Sequence, residues 1–157
     1  MLYSLITFGV SYDPSTESEL DPADHLMRLR LVYTILDTCG VFFSSGLSKK
    51  RLDFYLVYLQ YYYWFKRSLP VWTDDNPFPI EIDFGIKDTL TSLRPKLKPH
   101  KSLQEASDAV EKLEKDIVAK LSQTVHAFFV VFFSITKISK GVFFCGRFAD
   151  AGTETGR

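Results

Sequence analysis

The sequence predicts an all-α fold, antiparallel helical hairpins stacked in the manner of a HEAT or armadillo solenoid, and three observations predict it. Apolar residues recur at steps of three and four through most of the chain to residue 121. Short breaks bearing Gly or Pro separate these stretches. No alternation of strand type competes with them before residue 121. Helices joined by short turns lie antiparallel to their neighbours, and stacked hairpins of this kind make a solenoid. No internal repeat is strong enough to prove the solenoid alone.

Each element has its own signals. Residues 1–8 read as the end of a helix, stopped by Gly9. A helix that opens at Met1 without a cap and with an apolar face fits a chain that begins inside a domain, so the solenoid is expected to be truncated at its N-terminus. Ser11 to Leu20 is a polar loop. Asp21 offers an N-cap, Pro22 the first helical position and Asp24 a first-turn acid. Leu26, Leu29, Tyr33 and Leu36 then carry a helix to about Phe43, with Gly46 in the break after it.

Ser48 is the expected cap of the next helix, which reaches about Arg67. Its apolar residues form three adjoining stripes: Leu52, Leu56, Leu59 and Tyr63; Tyr55, Tyr58 and Tyr62; Phe54, Tyr61 and Phe65. A helix apolar nearly all round belongs at the centre of its fold. Pro70 to Pro79, with its run WTDDNPFP, is an ordered connector. Pro79 starts a helix with Ile82, Ile86 and Leu93 inward, ended by Pro95 and Pro99. A capping box, Ser102 to Glu105, opens the last clear helix, whose Leu103, Ala106, Val110, Leu113, Ile117 and Leu121 share one face. On its outer face Asp108–Lys112, Glu111–Lys115 and Asp116–Lys120 stand at i,i+4, each pair worth roughly 0.2–0.5 kcal/mol.

Residues 122–157 are written differently. They hold seven of the fourteen phenylalanines, and AFFVVFFSI at 127–135 falls well short of the roughly 20 apolar residues a membrane span needs. The tail is expected to be irregular. It reads either as a hydrophobic interaction or interfacial segment, with Phe128–Phe148 as its anchor, or as an end foreign to the domain before it.

Composition narrows the function. The chain has 157 residues, 46% hydrophobic and 24% charged, enough for one domain with a real core. Basic and acidic residues both number 19, so no global charge draws it to nucleic acid or an anionic membrane. Cys39 and Cys145 make no metal-ligand or CxxC spacing, which fits a reducing compartment. His25, His100 and His126 are scattered and form no zinc-ligand set. No Gly-rich phosphate loop and no GxSxG elbow is present. His25 reads as a surface or packing residue, Cys39 as a small core residue, and Asp74–Asp75 as a turn. No catalytic, cofactor or metal residues are assigned.

One surface feature stands out. Lys49, Lys50 and Arg51 sit near a helix start, where the dipole favours acids, so this basic run is the candidate contact for RNA phosphate or an acidic partner. The competing account is a solvated basic turn. Lys66 and Arg67 suit a helix C-terminus and need no further explanation. The tyrosines read as core rather than as a base-stacking platform.

LDPADHLMRLRLVYTILDTCG, LDFYLVYLQYYYWFK, PVWTDDNPFPIEIDF and DTLTSLRPKLK stand in that order over residues 20–98. In them the chain resembles, over about residues 1–121, the second Up-frameshift family of nonsense-mediated mRNA decay adaptors. The resemblance is to the third of that family's MIF-four-G-type domains, modules named after the middle domain of initiation factor four-G. It implies a non-enzymatic scaffold, cytoplasmic or perinuclear. It also implies Up-frameshift three, the Up-frameshift one helicase and the kinase that phosphorylates the helicase as partners, with RNA as a further candidate. In the family, the acidic residues that grip Up-frameshift three lie upstream of this stretch, and the helicase-binding segment lies far downstream. No partner residue is therefore carried over. A solenoid cut in this way leaves an apolar face uncovered, and marginal stability is the expectation. The alternative is an RNA- or initiation-factor-binding MIF-four-G-type domain of another protein.

Overall fold

The computed structural model describes residues 2–142 apart from 14, 15 and 17, with side chains through residue 122. Among these residues there are five α-helices, one 3-10 turn and no strand: α1 Leu2–Thr7, α2 Met27–Cys39, the turn Gly40–Phe42, α3 Gly46–Arg67, α4 Ile80–Leu93 and α5 Leu103–Val142. By compactness the chain divides into residues 1–113 and 114–157. The core lies in the first unit.

Polar contacts at the helix ends fix the directions. Tyr63 and Arg67, near the end of α3, both donate to Asp83 at the start of α4. Arg94, just past α4, donates to Asp53 near the start of α3. These two helices are therefore antiparallel. Arg30 pairs with Glu81 start to start, and Gly40 meets Leu93 end to end, so α2 runs parallel to α4. Tyr3 of α1 packs edge-on against Tyr58 of α3, and Tyr12 in the loop after α1 stacks on Tyr61, so α1 and the loop after it lie beside α3. Helices two apart thus lie side by side, α1 by α3 and α2 by α4, in two antiparallel layers. This is the stacked-hairpin arrangement read from the sequence.

The core is built on α3. Leu56, Leu59 and Tyr62 are fully buried, along with Ile6 from α1, Leu29, Val32 and Leu36 from α2, and Ile82 from α4. Each such aliphatic side chain contributes roughly 1.5–3 kcal/mol. The third aromatic stripe divides, with Phe65 buried and Phe54 exposed. Gly9 ends the α1 segment at φ 67°, and a Cβ there would meet Leu20 at 2.7 Å, so backbone and packing both demand glycine. The Pro70–Pro79 connector is ordered. Trp72 donates to the Lys66 carbonyl at 2.7 Å, and its ring meets Phe78 edge-on. Asp74 and Asp75 lie exposed in a turn closed by reciprocal Thr73–Asn76 backbone bonds. The segment after α4 is pinned along α3, where Trp64 donates to the His100 carbonyl and the His100 N–H to the buried Gln60.

Several boundaries differ from the sequence reading. Asp21 does not cap α2, which begins at Met27; its carboxylate is buried among cations, and Pro22 opens a separate turn closed by His25 N–H. The apolar helix expected to reach Phe43 stops at Cys39, because the chain tightens into the 3-10 turn. Ser48 does not cap α3; Ser45 occupies that position and makes no side-chain bond there. Cys39 is half-buried rather than core, its thiol directed at the Ile35 carbonyl. The capping box is half formed: Ser102 Oγ accepts from Glu105 N–H at 3.2 Å, while Glu105 accepts from the Lys101 N–H rather than from Ser102. The tail expected to be irregular is helical as far as Val142. The side chains of AFFVVFFSI, including His126 beside it, and residues 143–157, which contain Cys145, lie outside the described residues.

Candidate interaction surface

Among the described residues, no group of three His, Cys, Asp or Glu side chains is placed to hold a metal ion. Two open hollows mark the first unit. One, of about 310 Å³, has a polar side with Ser11, Asp13, Thr16, Ser18 and Asp21 and an apolar side with Phe65 and Leu69, and has no histidine among its described residues. The other, of about 400 Å³, holds His25 beside Arg30, Trp72 and Asn76, with no Ser, Thr or Cys. Among the described residues, no helix is long and apolar enough to cross a membrane.

Lys49, Lys50 and Arg51 all lie exposed on α3. None forms an ion pair with another described residue. Because α3 begins at Gly46, the three occupy its fourth to sixth positions, one turn further in than the sequence indicated. The dipole penalty, which fades within the first turn, is correspondingly smaller. The neighbourhood is more informative. Val41 and Phe42 of the 3-10 turn are 57% and 79% exposed, and Leu47 is 63% exposed. The sequence reading did not single these residues out, because it carried α2 on to Phe43 and assigned no role to its last apolar residues.

The backbone beneath this corner is held firmly. Arg94 donates to Asp53 and to the Phe43 carbonyl, fastening the end of α4 to the corner. Asp53 is the only acid in the sequence between Thr38 and Phe54, and it pairs with Arg94 rather than with the basic run.

Sequence reasoning missed a second charged group. Lys66 does more than suit a helix end. Its ammonium is buried 3.2 Å from Asp21 and donates to the Pro22 carbonyl at 2.6 Å. Tyr62 donates to the same carboxylate at 2.9 Å, and Arg28 pairs with it while capping the carbonyls of Leu5, Phe8 and Leu20. Burial lowers the Lys66 pKa against the opposing pull of Asp21. This cluster ties α2 and the loop before it to α3. Its charges are held by one another and by backbone carbonyls, although Asp21 also borders the 310 Å³ hollow. Arg67 likewise does more than complement the dipole, lying over the rings of Trp64 and Phe78 while paired with Asp83.

Stacked antiparallel hairpins with a packed aromatic core and a charged, partly apolar rim define an adaptor-type helical module. The family model of the MIF4G domain matches residues 2–96, and the chain belongs to that family. It is 56% identical over 120 residues to Regulator of nonsense transcripts 2 of Mus musculus, and equally to that of Homo sapiens. It is 34% identical over 114 residues to Regulator of nonsense transcripts UPF2 of Arabidopsis thaliana. These matches cover 76%, 76% and 73% of this chain, but the chain spans only 9% of each relative's length.

Proposed function

We propose that this chain is a non-enzymatic scaffold segment of the nonsense-mediated mRNA decay machinery and works through protein–protein contacts. The observation that carries the reading is the 56% identity over 120 residues to the mammalian regulators of nonsense transcripts. The surface chemistry supports it, since the distinctive exposed groups are cations and apolar side chains of the kind that build interfaces. The segment corresponds to the third MIF4G domain of such a regulator and works in the cytoplasm or around the nucleus. Its partners belong to the decay complex: Up-frameshift three, the Up-frameshift one helicase and the decay kinase, the first two engaged mainly through segments outside this chain.

The test is a pull-down of the chain, with and without residues 122–157, against Up-frameshift three, the decay kinase and RNA. Capture of the kinase is the expected result. Failure to capture either protein by a folded chain would overturn the reading. A second reading, direct RNA binding, is favoured by the exposed basic run Lys49–Arg51. It predicts RNA retention that falls steeply with salt.

A further inference from the structure

We infer that the corner between α2 and α3 is a docking surface for an acidic polypeptide segment carrying aliphatic side chains. Three observations converge there. First, Phe42, Leu47 and Val41 are exposed within a few residues of one another. Single exposed apolar residues are ordinary, but three within seven positions, two on the 3-10 turn and one at the start of α3, mark a candidate contact surface. Second, Lys49, Lys50 and Arg51 follow directly on α3, and Lys96, also exposed, lies two residues beyond the Arg94 that clamps the corner. Third, Asp53, the one acid in the sequence between Thr38 and Phe54, is paired with Arg94, and Lys49, Lys50 and Arg51 make no ion pair among the described residues.

The charge calls for an anionic partner. The apolar residues decide what kind. Single-stranded RNA would use Phe42 as a stacking platform but has no use for Val41 and Leu47. A peptide with aliphatic residues between its acids would use all of them, filling the Val41–Phe42–Leu47 patch while its carboxylates meet the cations. Ser45 leaves the first N–H groups of α3 without a side-chain cap, adding donors for a carboxylate. The corner is also pre-organised. Arg94 holds the Phe43 carbonyl, and Gly40 packs against Leu93, so binding orders little that is not already ordered. The surface deepens the adaptor reading and rests on it for its purpose. Its chemistry is testable without any decay factor, so the two can fail separately.

The experiment is fluorescence anisotropy of the full chain with three labelled probes: a peptide of glutamates interspersed with leucines, an all-glutamate peptide of equal length, and an oligouridylate. The glutamate–leucine peptide should bind best. Its affinity should fall roughly tenfold or more with Lys49→Glu/Lys50→Glu/Arg51→Glu, and again with Phe42→Ser alone. Both variants change exposed residues, and an unaltered helical spectrum confirms that each folds. Equal binding of the two peptides with Phe42→Ser harmless would reduce the corner to a charged patch and overturn the proposal. Tighter binding of oligouridylate would make it an RNA surface and overturn it. So would peptide affinity that neither variant changes, or no peptide binding at all. A dimer in sedimentation that Phe42→Ser dissociates would make a second copy the occupant, with the same consequence.

Discussion

The ammonium of Lys66, at the end of α3, lies 3.2 Å from the carboxylate of Asp21 in the loop before α2, and both side chains are buried. Forty-five positions separate the two in sequence. A buried ion pair contributes little net stability over an apolar substitute, but removing one partner strands the other charge. Asp21→Asn should therefore destabilise the fold by about 3–5 kcal/mol, read from urea denaturation. Adding Lys66→Met should recover part of that loss, since Arg28 retains three backbone carbonyls. If the double variant is as unstable as the sum of the singles, the pair is not coupled.

Tyr55 presents the opposite case. It is buried on α3, and its hydroxyl has no hydrogen-bond partner among the described residues. A buried hydroxyl without a partner costs about 1–3 kcal/mol, and phenylalanine keeps the ring while removing the oxygen. Tyr55→Phe should raise the melting temperature, with a gain of about 1 kcal/mol. Tyr62→Phe should lower it, because that hydroxyl serves Asp21. Two chemically identical substitutions two turns apart would then differ in sign, and thermal melts of both variants decide it.

Alkaline stability follows from the same tyrosines. Burial, before any other cause, raises the pKa of Tyr12, Tyr55, Tyr62 and Tyr63 well above the unfolded value of 10.0. In the fold these hydroxyls keep protons that the unfolded chain sheds above pH 10. Their contribution is fully present below that pH and is lost as the pH climbs beyond it. Lys66 acts in the other sense. Its folded pKa is lowered, so its contribution grows as pH rises from that value toward 10.5. The four tyrosines outnumber it, so tyrosinate absorbance and loss of helicity should appear together, cooperatively, above pH 10. Gradual tyrosinate formation centred on pH 10 with helicity intact would show that the rings are accessible.

How much of this the sequence shows depends on the range of each signal. Local signals were readable: the Gly9 stop, the all-round apolar character of α3, the Pro79 start of α4 and the Ser102 cap are each set within a few residues. The role of Asp21 was not. Asp-Pro followed by an acid is written the same way whether the carboxylate caps a helix or is buried against Lys66, and only the tertiary fold brings Lys66 to it. The same limit applies to the candidate surface. The run Lys49–Arg51 is visible as charge, but nothing local distinguishes Val41 and Phe42 from other apolar residues, and their exposure beside it is read from the fold. The helix through residues 122–142 was missed because its Phe-rich sequence gives no amphipathic period to read.

Gly40 offers a test of the corner's rigidity. Its backbone is helical, φ −62°, so alanine suits it conformationally and at an open site would stabilise by roughly 0.5–1 kcal/mol. The site is not open. A Cβ would lie 2.7 Å and 2.9 Å from the two methyls of Leu93, which is itself packed in the core. Overpacking should win, and Gly40→Ala should cost about 1–3 kcal/mol in denaturant melts. The flexible end of Leu93 is the part that can yield. Leu93→Val should therefore cost less in the Gly40→Ala background than in the native one, a coupling that a double-mutant cycle measures directly. Additive effects, or a stabilising Gly40→Ala, would mean that the end of α2 does not bear on the end of α4 as closely as described. The pre-organisation claimed for the Val41–Phe42 turn would then fail with it.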